Sequence, residues 1–424
     1  MLETLFENLG RTYNTNILDE EEEIVKKTFL DVSLRNHMFN EGKQTLMKLI
    51  CNHFDQKKPR ASFIVGPKSL TLHKSDKYQK MIYILGEWHD DNVDCNIEHF
   101  GIKSDDIITL VEDYLYELML TTDVFIDFYF EFPTYNDKKY PDEYEPYQSD
   151  LRLNNLFIKF RNCLQYDTRM DIDCKLARTH YFDIRTHSLL PETNDFLWFT
   201  EQLHKLTILY DLEEQNLFCQ TLLVDERTMR VVTILAEKDI TKMVHFLKTN
   251  ILEENRFIEK EMKKIKDPYI KQMIDEFTYE ELMDEIQIEL SPIQSFAQNI
   301  LKLDKMSLYL STMFMGLRNS LIYIKALIPD KYLLARLFKN FDLKELETKG
   351  YIGATDQPEK AHNIIIYAGN IHAQTYRKFL ETKLGFTPLE KTGILEEDRN
   401  FDVDQKGNKN CIDMTSITQP LFSI

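Results

Sequence analysis

The chain has 424 residues, 43% of them hydrophobic, enough to bury a large core and to exclude a disordered segment. Its formal charge of −18 repels phosphate backbones and excludes nonspecific nucleic-acid binding as its main role. Six cysteines (51, 95, 163, 174, 219, 411), far apart and without a CxxC pair, predict reduced thiols in an intracellular, cytoplasmic compartment.

Residues 1–60 read as an N-terminal helical extension, with strong helix formers and apolar spacings of three and four. The opening MLETLFENLGRTYN has no basic n-region or long apolar core, so no signal peptide is expected. ASFIVGPKSLTLHKS (61–75) alternates and breaks at Gly66-Pro67, which predicts a short hairpin or an edge strand. KMIYILG (80–86) is a near-continuous apolar run, suited to a strand covered on both faces. Ser104 and two aspartates predict a helix start, with IITLVEDYLYELML helical to about residue 120. DVFIDFYFEF (123–132) reads as the second strand, NLFIKFRNCLQY (155–166) as a helix and ARTHYFDIRTHS (177–188) as the third strand.

From 190 to 345 strand signals vanish and amphipathic helices follow one another, with Asp267-Pro268 and Ser291-Pro292 as expected helix starts. The most apolar stretch, MSLYLSTMFMGL (306–317), is too short to span a membrane and reads as a buried helix. NIIIYAG (363–369) returns to strand, QTYRKFLETKLG closes with a helix ending at Gly385, and residues 391–424 read as a C-terminal tail. The expected fold is therefore α/β: a mostly parallel central sheet flanked by helices in a domain over 61–390, which contains a helical insertion over 190–345.

In such sheets ligands bind beyond the carboxyl ends of the strands, and all four predicted strands bring reactive groups there. Gly86-Glu87-Trp88-His89 follows the first, Asp127 and Glu131 share one face of the second, Asp183, Arg185 and His187 share one face of the third, and Gly369-Asn370-Ile371-His372 follows the last. The two glycines allow sharp turns, and the repeated Gly-x-x-His unit predicts that His89 and His372 face one cleft. Two histidines and a carboxylate, here His89, His372 and Glu131, can hold a divalent metal and acidify its water. Without metal, the same groups can do general acid/base work, with Arg185 gripping an anion. Each group also has a bland alternative: a hydrogen-bonding histidine, an edge-strand charge, an Asp–Arg ion pair. Cys95 reads as a buried free thiol rather than a nucleophile.

GEWH (86–89), the acid-bearing strand, the Asp183/Arg185 strand and GNIH (369–372) together resemble the superfamily of TraB/PrgY, Tiki, erythromycin-esterase-like and ChaN-like proteins. The resemblance implies a hydrolase-like pocket with Glu87, His89, Glu131, Arg185 and His372 as site residues, a small-molecule or peptide substrate, and a divalent metal at His89, Glu131 and His372. Reaction type does not transfer with such a fold, so a catalytically inactive binding or virion structural protein remains the alternative. GPKSLTLHKS leading into GExH is also similar to proteins of large DNA viruses, which adds the virion as a location and virion or protein partners.

Overall fold

The computed structural model describes residues 59–88, 95, 100–133, 151–160, 174, 176–185, 194–303, 307, 309–344, 357–396 and 410–423. The chain divides into Met1–Pro59 and Arg60–Ile424, and the fold below is that of the second unit. The expected N-terminal extension, His89 and His187 lie outside the described residues.

Strands β1 (Phe63–Val65), β2 (Pro67–Ser75), β3 (Lys80–Glu87) and β4 (Ile108–Leu110) lead into helix α1 (Val111–Thr121). Strand β5 (Ile126–Pro133), helix α2 (Leu151–Phe160) and strand β6 (Ala177–Asp183) follow. A helical stretch then runs through α3 (Asp195–Lys205), α4 (Leu212–Val224), α5 (Glu226–Ala236), α6 (Ile240–Lys248), a π turn (Thr249–Glu253), α7 (Arg256–Lys263), α8 (Pro268–Lys302) and α9 (Leu310–Phe338). Strand β7 (Asn363–Gly369), helix α10 (Asn370–Thr382), β8 (Thr387–Gly393) and β9 (Cys411–Asp413) complete it.

Six strands form one sheet in the order β6-β5-β7-β3-β2-β8, and β4-β1-β9 form a smaller one. The expectation of a mostly parallel sheet is corrected to a mixed one. β6, β5, β7 and β3 run parallel, but β2 is antiparallel to both β3 and β8. The tight connection after Ser75 turns the chain straight back, which only antiparallel strands permit. β2 is thus interior rather than an edge, because β8, a strand not expected after the helix ending at Gly385, covers it. β7 sits between β5 and β3, so the last parallel strand fills the gap that the β3–α1–β5 crossover leaves.

The apolar runs of β3 and β7 are covered on both faces, as their composition requires. Ile82, Ile84, Tyr129, Phe182, Ile364 and Ile366 face the core built by α3–α10. Tyr83, Leu85, Phe128, Phe130, Ile365 and Tyr367 face a second core with α1, α2 and the C-terminal Leu421 and Phe422. The even/odd alternation of each strand decides which side a residue joins.

Four further expectations are corrected. Ile108–Leu110 pairs with β1, so the helix expected after Ser104 begins only at Val111. Ser291-Pro292 is no helix start but lies inside α8, where Pro292 costs one backbone bond in a long, well-packed helix. Asp267 does cap α8, accepting from the Tyr269 and Ile270 N–H groups. Cys95 is no free thiol: it is bonded to Cys411 across a Cα–Cα distance of 5.2 Å. Cys174 is also disulfide-bonded, and among the described cysteines only Cys219 is free, so the expected reduced state does not hold.

Candidate active site

The parallel strands end at one edge of the sheet, and three expected residues meet there on the face toward α9 and α10. Glu131 stands on β5, two residues beyond Tyr129 on the same face. His372 stands on the first turn of α10, which begins directly after Gly369, so the Gly-x-x-His unit is a strand-to-helix junction. The Gly369 N–H donates to Glu131 Oε2 at 2.8 Å and ties that junction to β5. Arg185, two residues past β6, donates from Nη2 to Glu131 Oε1 at 2.6 Å. Its Nε and Nη2 also donate to Asp183 Oδ1 and Oδ2 at 2.9 and 3.0 Å, a bidentate grip on its own neighbour.

His372 is held at both ring nitrogens. Nδ1 lies 2.6 Å from Asp330 Oδ1 and Nε2 lies 3.3 Å from Glu131 Oε1. Burial opposes a charged ring, but the Asp330 carboxylate and then Glu131 outweigh it and raise the pKa to about 10. The ring is therefore an imidazolium at neutral pH, its two N–H groups aimed at two acids. Tyr376, one turn along α10, donates to the same Asp330 oxygen at 2.7 Å. Burial also works against Asp183, yet Arg185 holds its carboxyl below the usual range.

Asp330 and Tyr376 were not among the expected residues. Asp330 follows Pro329 on α9, inside a stretch from Leu327 to Ala335 that is buried throughout. An Asp-Lys pair inside LIPDKYLLA was the available signal: a helix with no polar face must satisfy its charges internally.

Two expected residues do not join the cluster. Asp127 lies near the start of β5, about 13 Å along the strand from Glu131 at ~3.3 Å per residue. It accepts from Arg178 Nε at 2.7 Å and contacts His180 Nε2 at 2.7 Å, at the opposite edge of the sheet. Glu87 ends β3 but alternates onto the other face with Tyr83 and Leu85, where the Tyr367 hydroxyl donates to its Oε2. The sheet itself separates Glu87 from His372. His89, and with it the expected meeting with His372, lies outside the described residues.

No family model, curated protein or solved structure matches this chain. The site must be read from its own chemistry. Among the described residues no group of three or more His, Cys, Asp or Glu side chains is disposed to hold a metal ion. His372 has an acid at each ring nitrogen, and both Glu131 oxygens accept hydrogen bonds. Of the residues expected to hold a metal, Glu131 and His372 lie together, and His89 is outside the described residues. What the arrangement can do is deliver a proton from His372 and stabilise negative charge with Arg185.

Proposed function

We propose that the protein is a hydrolase-type enzyme of the kind the resemblance implies, acting by general acid catalysis on a small-molecule or peptide substrate. The observation that carries this reading is the buried His372 ring held between the Asp330 and Glu131 carboxylates, at the strand ends where parallel sheets hold their ligands. Asp330 fixes the ring and keeps it protonated, and Nε2 points its proton toward Glu131 and the strand ends. Arg185, anchored by Asp183, supplies the fixed positive charge for an oxyanion. Glu131 joins the two, and His89 is the candidate base.

The test is a panel of ester and amide substrates with wild type, His372→Gln and His89→Ala, each checked for native circular dichroism. Loss of turnover by about 100-fold or more in a folded His372→Gln protein supports the reading. Turnover that survives in that variant overturns it.

One observation favours the second reading, a binding or structural protein. His372 and Arg185 already have carboxylate partners, so the cluster can serve as a clamp between β5, β6, α9 and α10. On that reading the variants lose stability and no substrate is found. The disulfides favour an oxidising site such as a virion surface over the cytosol in either case. No described helix is long and apolar enough to cross a membrane.

A further inference from the structure

Lys331 follows the Asp330 that anchors His372, but successive helix residues point about 100° apart, so the two charges of the Asp-Lys pair serve different places. Lys331 Nζ donates to Leu252 O at 3.1 Å and lies 2.7 Å from Asp275 Oδ1, with its side chain only 7% exposed. An ammonium has three donors, so one has no partner among the described residues. Lys331, Leu252 and Asp275 all line a cavity of about 540 Å³ between the π turn, α7, α8 and α9, a size usual for a small-ligand site. Leu252 joins Ile258 and Met262, four apart on α7, in a buried apolar wall. On the α8 side Lys271, Asp275 and Tyr279 recur every four residues and form one stripe, with Glu276 beside it. The lining charges are unequally committed. Glu253 pairs with Lys248 at 2.9 Å, Glu259 with Lys263 at 2.6 Å and Asp275 with Lys331. Glu276 accepts only from the Gln272 amide, at 2.6 Å, and has no cationic partner among the described residues. A simple anion entering here meets four carboxylates, and a simple cation meets the buried ammonium. A molecule with both signs of charge and an apolar part avoids both penalties.

We propose that this cavity binds a zwitterion with an apolar side chain, an amino acid or a short peptide, its carboxylate on Lys331 and its ammonium on Glu276. The apolar side chain lies against Ile258 and Met262. The cavity shares no lining residue with the His372 cluster, and the proposal does not rest on the hydrolase-type reading.

The full chain is titrated calorimetrically with leucine, leucyl-leucine, N-acetylleucine and leucinamide. The two zwitterions are titrated again into Lys331→Met and Glu276→Gln, each checked for native circular dichroism. The proposal predicts saturable binding of at least one zwitterion, about tenfold or more tighter than either single-charge analogue. That binding weakens about tenfold or more in Lys331→Met and about threefold or more in Glu276→Gln. The zwitterion that binds more tightly tells a free amino acid from a peptide. Glu276 is exposed on α8, so its variant carries the test where Lys331→Met does not fold. No saturable binding of either zwitterion by wild type, a single-charge analogue that binds as tightly, or unchanged binding in a folded variant overturns the proposal.

Discussion

His372 carries its proton because acids stand at both of its nitrogens, and that has a signed consequence for stability. Its folded pKa, about 10, lies above the ordinary 6.5, so its contribution is complete below pH 6.5 and is lost as pH rises through 10. Lys80 and Lys339, pushed down by burial to about 8 and 7, act with the opposite sign over the alkaline range. They are common to wild type and variant, so a difference isolates the histidine. The gap in urea stability between wild type and His372→Gln is expected to narrow steadily from pH 6.5 to pH 10. A gap that stays constant over that range would show that the ring is neutral. Glu131, Arg185 and His372 were legible in the sequence because each follows an apolar strand run at its carboxyl end. Glu87 was misplaced for a reason equally physical: the side-chain period of two put it on the far face, and a reading by strand ends alone ignores the face. Asp330 was invisible to the same reading because its partner lies 42 residues away on another helix.

At the scale of elements, the β7–α10 junction is the structural unit that makes the site. Gly86 on β3 lies against it: a Cβ there would come within 2.1 Å of Asn370 Oδ1 and 2.7 Å of Ser69 Oγ. Ser69 and Asn370 are hydrogen-bonded to each other, and Arg377 of α10 donates to Ser69 as well, so neither partner can swing away freely. Gly86→Ala is expected to cost about 1–3 kcal/mol, as overpacking does, measured as a lowered urea midpoint. An unchanged midpoint would mean that the junction is looser than described. The glycines of both Gly-x-x-His units were readable as turns, but the helix expected from Gln374 begins already at Asn370, within the second unit. Long helices were legible from 3.6-residue periodicity, whereas β8 was not. Its sequence TPLEKTG is mostly exposed and carries no apolar run, and it becomes a strand because β2 offers an open edge.

Among the described residues of the second unit, the six-stranded sheet lies between two cores, with a charged cluster at each end of one face. At the amino end, Asp127, Arg178, His180 and Arg336 are joined by hydrogen bonds, and His180 stacks on Tyr129 at 4.3 Å between ring centroids. Burial brings His180 down to about 3, and Asp127 is held at about 2 by Arg178 against its own burial. Both therefore stabilise the fold above their ordinary pKa values and lose that contribution on acidification. This cluster fastens α9 to the sheet, so the helical stretch is a packed layer of the fold and not an appendage. The Cys95–Cys411 bond closes a loop with a sequence separation of 316 and ties the chain beyond β3 to β9. Its reduction is expected to cost about 2–5 kcal/mol, read as a lower melting temperature in reductant and in Cys411→Ser. Equal melting with and without reductant would remove the bridge from the account. Nothing in the spacing of six scattered cysteines could pair them, since the partners meet only after β1 recruits β9.

The claim on which the site depends is that one imidazolium is clamped between two carboxylates. Nitrogen-15 NMR of histidine-labelled protein, with the His372 signals assigned by their loss in His372→Gln, tests it directly. Both ring nitrogens should report protonation at pH 8 and begin to change only as pH approaches about 10. A midpoint near 6.5, or a ring with one bare nitrogen at pH 8, would contradict the clamp and the proton-donating role built on it.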